Sequence, residues 1–389
     1  MILFAFALLG MLAWIYLAQW RAGFWRADER LPAAPAPAIW PSVAALIPAR
    51  NEADGVEAVV RAHMAVDYPS YTVLLVDDGS TDGTADLAWQ AGSKERLSIF
   101  TAPPLDAGWT GKIAAQRAGL SRLAAVAPAV KYVLLCDADI VLKPDTVRRL
   151  VAHAEANQLA LASLMARLDS RGPFAGLLVP AFVYFFQLVY PFAASNDLKL
   201  RIAAAAGGCM LVRRDALAAA GGFDAIKGAL IDDCALASTI KFRGPGAPRP
   251  IWIGLAEDEA TSLRDNRSLG SVWSMVSRSA FAQLGYSWLA LVGAVLSMAL
   301  VYLGPPLVAL LTPWHRDGFA GAAAATAWFI MTYTYRPTTA IYRLPWAAAL
   351  TLPVAALFYM AMTVSSALAY ARGKGGAWKG RTYAAPRRT

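Results

Sequence analysis

The sequence predicts an α/β domain with a mostly parallel sheet, placed between apolar segments at the two ends of the chain. Between residues 42 and 140, apolar strand-like runs alternate with polar turns and helical patterns, which is typical of a doubly wound sheet. The chain has 389 residues, of which 57% are hydrophobic and 16% charged. Soluble domains have roughly 45–50% apolar and about 25% charged residues, so the excess predicts contact with a membrane.

The first segment predicts a transmembrane helix. Met1–Trp20 has no charged side chain and, at about 1.5 Å per residue, spans about the 30 Å of a bilayer core. Arg21, Arg26 and Arg30 follow it, which places the next domain in the cytoplasm. A cleaved signal peptide is the alternative, but a basic start and a cleavage site are missing. Residues 21–41 predict a basic, Pro/Ala-rich linker.

Two strands, each ending in a polar turn, open the predicted domain of residues 42–287. Val43–Ile47 predicts a buried strand that ends at Pro48, and the turn Pro48–Glu52 opens a helix. Tyr71–Val76 predicts the second strand and leads into Asp77–Thr84, where glycine permits a tight turn and polar residues can cap a helix.

Two carboxylates follow a later strand. Leu97–Thr101 predicts a third strand, Ile113–Ala125 a helix, and Val133–Leu135 a buried strand that leads to Asp137 and Asp139. Ligands bind beyond the carboxyl ends of such strands. Two acids separated by one residue favour a divalent cation that carries a diphosphate. The alternative is that the first acid caps a helix and the second is solvated.

A second acidic pair follows a glycine-rich strand start. Gly207 and Gly208 permit close approach of the backbone beside a strand at Met210–Arg213. Asp232 and Asp233 open a helix further along the chain. Capping and stabilisation of the helix dipole are the alternative to a catalytic role for these acids.

An aromatic segment interrupts the predicted domain after a strand at Ala160–Leu168. Phe174–Phe192 is nearly uncharged, but Pro180, Pro191 and Gln187 lie within it. A span here would put the two acidic pairs on opposite sides of the membrane. We therefore expect an interfacial helix at 174–192 with its aromatic side toward the lipid; a buried core helix is the alternative.

Three motifs together resemble a known family. Val43–Glu52, Leu74–Thr84 and Leu134–Ile140 look like the donor-binding half of family-2 inverting glycosyltransferases with the GT-A fold. The resemblance covers about Ser42 to Ser287. It implies a nucleotide-diphosphate sugar as donor, a divalent metal (Mg²⁺ or Mn²⁺) as cofactor, and transfer of a hexose-type sugar with inversion.

The resemblance assigns donor-side roles residue by residue. Asp78 would accept a hydrogen bond from the base, with one of Asp77 and Asp78 serving only as a loop cap. Asp137 would face the ribose or the diphosphate, and Asp139, together with Asp137, would hold the metal. Three residues of the first turn would line the nucleoside pocket: Pro48, Arg50 and Glu52.

The acceptor-side roles fall on the second acidic pair. The resemblance makes Asp233, the second acid of its pair, the catalytic base, with Asp232, Gly207 and Gly208 beside the acceptor.

On the donor side, Lys112 could contact phosphate from the start of a helix, although a solvated lysine is the alternative.

One motif departs from the family pattern. Processive polysaccharide synthases carry Gln-x-x-Arg-Trp where this chain has Met275–Ser279, so that only Arg278 matches. The departure argues against a polymer synthase. Arg278 would bind the leaving diphosphate or, as the alternative, lipid phosphate.

The last third, residues 288–371, predicts further membrane segments: Trp288–Thr312, kinked at its two prolines, a shorter Phe319–Tyr335, and Pro345–Ala371. A basic tail, residues 372–389, follows. Three late spans would put the tail opposite the catalytic domain, whereas its charges favour the same side. A re-entrant segment, with Phe319–Tyr335 as the candidate, would remove the conflict.

Composition and layout complete the prediction. Net charge is +9, but the basic residues flank apolar segments rather than forming a nucleic-acid stripe. Three cysteines without metal-like spacing predict free thiols in a reducing compartment.

The whole layout resembles hopanoid-biosynthesis-associated and carotenoid-acid glycosyltransferases, which implies a hopanoid or polyisoprenoid lipid acceptor at the cytoplasmic side of the inner membrane. A carotenoid or glycerolipid acceptor and a catalytically silent scaffold are the alternatives.

Overall fold

The computed structural model describes residues 1–376 and 379–381. The rest of the predicted basic tail, with Trp378, lies outside the described residues. The chain separates into two compact units. The sheet unit comprises Asp28–Leu168 and Phe192–Arg264. The helical unit comprises Met1–Ala27, Asp169–Pro191 and the described residues from Asp265 onward.

The described residues contain nine strands and sixteen α-helices, numbered here in chain order. The strands are β1 (Val43–Ala49), β2 (Tyr71–Asp77), β3 (Leu97–Thr101), β4 (Tyr132–Cys136), β5 (Ile140–Leu142), β6 (Leu161–Met165), β7 (Cys209–Arg213), β8 (Ile251–Leu255) and β9 (Ala260–Ser262). The helices are α1 (Ile2–Trp20), α2 (Val56–Met64), α3 (Thr84–Ala91), α4 (Gly111–Val126), α5 (Thr146–Ala156), α6 (Pro173–Val189), α7 (Phe192–Asn196), α8 (Arg214–Ala219), α9 (Asp232–Phe242), α10 (Leu269–Ser277), α11 (Ala280–Gln283), α12 (Trp288–Met298), α13 (Gly304–Leu310), α14 (Thr312–His315), α15 (Gly318–Ile341) and α16 (Leu352–Ala371).

The sheet unit is built on seven strands in the order β3-β2-β1-β4-β7-β6-β8. Neighbouring strands are parallel except at β7, which is antiparallel to both β4 and β6. β5 and β9 form a separate antiparallel pair. The predicted α/β class with a mostly parallel sheet is confirmed.

Alternate residues of the central strands fill two cores, as the two-residue repeat of a strand requires. Val43, Ala45 and Ile47 of β1 pack on one face of the sheet, against α2 and α5. Ala44 and Leu46 pack on the other face, against α4 and α9. Helices therefore cover both faces, and the strand ends are left to form a site.

The first strand is longer than predicted. β1 continues to Ala49, so Pro48 lies inside the strand and pairs with Val76, rather than ending it. A proline is tolerated here because the pairing of β1 with β4 stops at Leu46, where no further N–H is needed for that ladder. The following helix is shorter than predicted and covers only Val56–Met64.

The helical unit contains three helical segments long and apolar enough to cross a membrane: Ile2–Trp20, Trp288–Leu310 and Trp346–Ala371. All three were predicted from the sequence. Phe319–Tyr335, in contrast, belongs to the 24-residue helix α15, which is longer than predicted.

The predicted kink at Pro305 has a specific partner in α1. Pro305 has no N–H, so the carbonyl of Val301, four residues earlier, lacks its helical donor. The indole Nε1 of buried Trp14 donates to that carbonyl at 2.7 Å. The turn Ala299–Leu303 is π-helical, a form found where proline disturbs the backbone ladder.

Helix α6, the predicted interfacial helix, packs within the helical unit. Phe185 lies between Tyr302 and Tyr359, with ring centroids 5.4 and 4.9 Å away. Arg21 donates to the carbonyls of Leu188 and Val189 at its carboxyl end. Its buried side faces other helices; its orientation to a lipid surface remains a prediction.

Candidate active site

The strand order brings both acidic pairs to one edge of the sheet. Asp137 follows the carboxyl end of β4. Because β7 is antiparallel to β4, with Cys136 opposite Cys209, the segment before β7 reaches the same edge. That segment carries Gly207 and Gly208. The backbone N–H of Asp137 donates to the carbonyl of Gly208 at 3.3 Å.

Lys112 joins the two acidic pairs. Its Nζ lies 2.7 Å from Oδ1 of Asp137 and 3.2 Å from Oδ2 of Asp232. Burial alone would lower the pKa of Lys112, but these two carboxylates raise it above its usual value. The alternative of a solvated Lys112 is therefore wrong. Its ammonium has three donors, of which two are occupied.

Asp233 is held by backbone amides rather than by a salt bridge. Its Oδ2 accepts from the N–H of Gly207 at 2.9 Å, and its Oδ1 from the N–H of Cys234 at 2.8 Å. Burial raises the pKa of Asp233 to about 6, with the charge of Asp232 adding to the rise and Lys112 opposing it. A carboxylate with this pKa can take a proton near neutral pH.

The predicted glycines fit tightly into this edge. A Cβ on Gly207 would lie 3.0 Å from Nζ of Lys112 and 3.4 Å from Oδ2 of Asp233. A Cβ on Gly208 would lie 3.1 Å from the side chain of Ile140. Glycine at 207 lets the backbone approach both charged groups, and glycine at 208 lets it approach Ile140.

A strap of backbone, Ile202–Gly207, presents the Gly207 amide to Asp233. Ser163, fully buried, both accepts from the N–H and donates to the carbonyl of Ala206, at 2.9 and 3.1 Å. Lys241, also fully buried, donates to the carbonyl of Ile202 at 2.7 Å. The strap is thus fixed at two points, Ile202 and Ala206, both of which precede the residue that contacts the carboxylate.

Lys241 and Asp233 belong to the same helix, α9. The ammonium of Lys241 also donates to the carbonyls of Ser195 and Asp197, each at 2.8 Å. Burial lowers the pKa of Lys241. Near its carboxyl end, α9 therefore anchors the segment before the strap through Lys241. At its amino end, Asp233 accepts a hydrogen bond from the N–H of Gly207, the last residue of the strap.

Asp139 lies in the turn between β4 and β5 and is held by the β9 side of that small sheet. Ser262 Oγ donates to its Oδ2 at 3.2 Å, and Arg264 Nε lies 3.6 Å from the same oxygen. The pairing of Ile140 with Ser262 places these groups together. The alternatives for this pair are wrong: Asp137 is bound by lysine instead of capping a helix, and Asp139 is not simply solvated.

The first acidic pair fits a divalent cation with few protein ligands. Within the described residues, Oδ2 of Asp137 and Oδ1 of Asp139 have no protein partner. The described residues contain no group of three or more His, Cys, Asp or Glu side chains arranged for a metal. Mg²⁺ and Mn²⁺ prefer oxygen ligands, and Mg²⁺ is commonly held by one or two carboxylates plus substrate phosphates.

The predicted nucleoside residues lie at the neighbouring strand ends. Arg50 Nη1 donates to the carbonyls of Asp78 and Gly79. Asp77 accepts from the N–H of Ser80 at 3.2 Å, so Asp77 is the loop cap of this pair. Asp78 is buried.

Two turns are tied together at this end of the site. The N–H of Glu52 donates to Thr84 Oγ1 at 2.8 Å, and the N–H of Asn51 to Ser80 Oγ at 3.0 Å. Pro48 lies behind them, buried inside β1. Arg278 belongs to the helical unit, where its Nε is buried and has no hydrogen-bond partner within the described residues.

Five residues of the site escaped prediction: Ser163, Ser195, Lys241, Ser262 and Arg264. Ser195 accepts from the N–H of Ala204 in the strap, nine residues later. The other four contact groups that are far away in sequence, as Ser262 contacts Asp139. A lone serine or lysine carries no local pattern that would reveal such a contact.

Comparison with protein families decides the class. The model of glycosyl transferase family 21 matches residues 2–387. The protein belongs to glycosyltransferase family 21. The family is thus family 21, where the motifs had suggested family 2, and the prediction of a glycosyltransferase is confirmed. A comparison with curated proteins finds no match for this glycosyltransferase.

Several solved structures are similar to this chain, and the first of them shares its fold. The mannosyltransferase PcManGT from Pyrobaculum calidifontis, in complex with GDP-Man and Mn²⁺, is 18% identical, with a TM-score of 0.53 over 94% of this chain and 99% of that chain. S. aureus TarS 1-349 with UDP-GlcNAc is 13% identical, with a TM-score of 0.42 over 86% and 92%. M. tuberculosis glucosyl-3-phosphoglycerate synthase with Mg²⁺ and UDP is 17% identical, with a TM-score of 0.41 over 63% and 80%.

Proposed function

We propose that this family 21 glycosyltransferase moves a hexose-type sugar from a nucleotide-diphosphate sugar to a lipid acceptor, with inversion and with a divalent metal. The observation that carries the proposal is the setting of Asp233. Its two oxygens accept backbone N–H groups, and its pKa is raised to about 6. Inversion requires a single base and no protein nucleophile. Asp233 in this setting would supply that base.

The donor side would be formed by the first acidic pair and Lys112. Asp137 and Asp139 would hold Mg²⁺ or Mn²⁺, which when bound neutralises charge on the leaving diphosphate. The third N–H of the Lys112 ammonium would donate to a phosphate oxygen. PcManGT holds GDP-Man and Mn²⁺, a donor and metal of the class proposed here.

The nucleoside would lie between the turns after β1 and β2. Arg50 already bridges the carbonyls of Asp78 and Gly79, which fixes the edge of this pocket. Asp78 would accept a hydrogen bond from the base.

Asp233 would act in a single displacement. The acceptor hydroxyl oxygen attacks the anomeric carbon from the face opposite the diphosphate. The bond from that carbon to the diphosphate oxygen breaks, and the diphosphate leaves with the bonding electron pair. Asp233 takes the proton of the acceptor hydroxyl. The amides of Gly207 and Cys234 hold its carboxylate in place.

A lipid acceptor is supported by the apolar composition of the helical unit, whereas the hopanoid or polyisoprenoid type rests only on the resemblance of the layout. Three of its helical segments are long and apolar enough to cross a membrane. Arg21, Arg26 and Arg30 after α1 favour a catalytic domain on the cytoplasmic face of the inner membrane. A carotenoid or glycerolipid acceptor, the alternatives, would also be membrane lipids and would fit the same apolar helical unit.

Turnover in detergent tests the proposal. The purified protein is given nucleotide sugars and lipid extracts with Mn²⁺ or Mg²⁺, and the anomeric configuration of the product is read by NMR. We expect metal-dependent transfer with inversion. Retention would contradict the mechanism, and absence of donor turnover under all metals would favour the silent scaffold.

The acceptor surface needs its own variant. Phe174, 39% exposed at the start of α6, is changed to serine, with Phe319→Ser, 79% exposed on α15, as the matched control. If only Phe174→Ser loses transfer to lipid while it retains donor hydrolysis, the result supports binding of the lipid acceptor along α6. Equal effects of the two variants would count against it.

A further inference from the structure

The segment Trp346–Ala371, which contains α16, is long and apolar enough to cross a membrane, yet both ends of α16 have their neighbours at one edge of the helical unit. The two edges are defined here by α1. The Met1 edge is where α1 begins, and the Trp20 edge is where α1 ends. The contacts of the other helices can be assigned to these edges one by one.

The α12–α13 segment runs antiparallel to α1. Trp14 of α1 donates to the carbonyl of Val301. One turn earlier in α1, a Cβ on Gly10 would lie 3.6 Å from Pro305, which is one turn later in the partner. Helix α12 therefore begins at the Trp20 edge, and α13 ends at the Met1 edge.

Helix α15 runs parallel to α1. Near the Met1 edge, the rings of Phe4 and Phe319 are 6.2 Å apart. Beyond the other end of α1, the rings of Trp25 and Tyr333 are 5.4 Å apart. The 24 residues of α15 cover about 36 Å, more than the roughly 30 Å of a bilayer core. This helix therefore returns the chain to the Trp20 edge.

The approach to α16 stays at the Trp20 edge. Trp346, just before α16, lines a cavity of about 260 Å³ together with Trp25, Tyr333 and Arg336. Trp25 follows α1 by five residues, so this cavity lies where α1 ends.

The far end of α16 lies at the Trp20 edge as well. Ser366 Oγ accepts from the N–H of Phe281 at 3.1 Å, and the ring of Tyr370 is 5.1 Å from that of Tyr286. Both partners immediately precede Trp288, where α12 begins at that edge. In the described part of the chain, the main neighbours of α16 are α6, α10, α11, α12 and the turn Ala299–Leu303, but not α13 or α14. That turn lies beside Trp14, in the half of α1 that is nearer to Trp20.

We propose that α16 is a re-entrant helix that enters and leaves the bilayer at the Trp20 edge and binds the lipids of that leaflet. The chain then crosses the membrane three times, in α1, α12–α13 and α15. The basic tail then begins on the same side as Arg21. This removes the conflict between the charges and the number of spans, with α16 rather than Phe319–Tyr335 as the re-entrant segment.

The outer face of α16 fits a lipid leaflet. It lines an open cavity of about 590 Å³ with apolar side chains that include Leu357, Val364 and Leu368, and Arg372 and Lys374 lie at its end. Hydrocarbon chains match the apolar face, and lipid phosphate matches the basic end. Residues 372–389 contain six basic and no acidic residues, which suits an anionic surface.

Single cysteines at three exposed positions test this topology. Ala36→Cys reports the side after α1, Pro313→Cys the Met1 edge, and Ala371→Cys the end of α16. The three native cysteines are buried, so the parent chain gives the background. A membrane-impermeant maleimide is applied to intact cells and to inverted vesicles.

The expected result is that Ala371→Cys and Ala36→Cys react from the same side of the membrane, and Pro313→Cys from the other. An epitope tag after Thr389, removed by trypsin, gives a second reading of the tail. Reaction of Ala371→Cys, or loss of the tag, from the side of Pro313→Cys would overturn the proposal. Neither reading depends on glycosyl transfer.

Discussion

The two acidic pairs of the site differ in what holds them. In the first pair, Asp137 contacts Lys112, and Asp139 contacts Ser262 and Arg264. In the second pair, Asp232 shares the same lysine, whereas the hydrogen bonds to Asp233 come from two neutral backbone amides.

This difference separates a binding role from a proton-transfer role. Side chains paired with cations are suited to exchange one cation for another, and each acid of the first pair has an oxygen left for a metal. Burial raises the pKa of Asp137 as well, but Lys112 in contact with it opposes that rise. Asp233 has no such counterion in contact, and burial and its acidic neighbour raise its pKa to about 6. Acids of the same type thus acquire different chemistry from their surroundings.

Removal of the proposed base should have the largest effect. We expect Asp233→Asn to lower kcat by about 10²- to 10⁴-fold, the range of general-base catalysis, without changing the metal requirement. Asp86→Asn, an exposed acid on α3, is the control. Steady-state kinetics measure both variants, and a kcat within threefold of wild type in Asp233→Asn would remove the base assignment.

Removal of a proposed metal ligand should act on a different quantity. We expect Asp139→Asn to raise the Mn²⁺ concentration for half-maximal activity by about 10- to 100-fold or more, since even groups behind a ligand contribute that much. The enzyme is first treated with a chelator until activity is abolished. The turnover rate is then measured at increasing Mn²⁺ concentrations to give the concentration for half-maximal activity. Unchanged half-activation would place the metal elsewhere.

Release of the strap should give the smallest effect. Ser163→Ala removes both contacts to Ala206 and loosens the Gly207 amide, which stabilises the charged form of Asp233. The pKa of Asp233 should rise, and the acid limb of the pH–rate profile should move to higher pH by less than about one unit.

The matched control for this variant is Ser98→Ala, on an exposed position of β3. A role confined to stability would lower the melting temperature of Ser163→Ala while leaving its pH–rate profile identical to that of the control. That outcome would show that the strap does not influence the pKa of Asp233.

Much of this site follows from local sequence pattern. The runs before Asp77 and Asp137 are short, branched and apolar, so their strands and the acids after them could be predicted. The pair Asp232 and Asp233 was predicted in the same way, from acids at the start of a helix.

The groups that hold these acids could not be predicted. Ser262 reaches Asp139 only because β5 pairs with β9, over 120 residues later in the chain. Ser163 reaches Ala206 across the sheet. The length of α15 was also missed, because its alanines, threonines and Arg336 weaken the apolar pattern of a span.

The pH dependence of kcat/KM tests the central claim most directly. The base must be unprotonated to act, so activity is lost as pH falls through the pKa of Asp233. The kcat/KM of the wild type should rise tenfold per pH unit up to about pH 6 and then level off. Asp233→Asn should show no such limb. A wild-type profile that is flat from about pH 5 to 8, or the same limb in Asp233→Asn, would contradict Asp233 as the base.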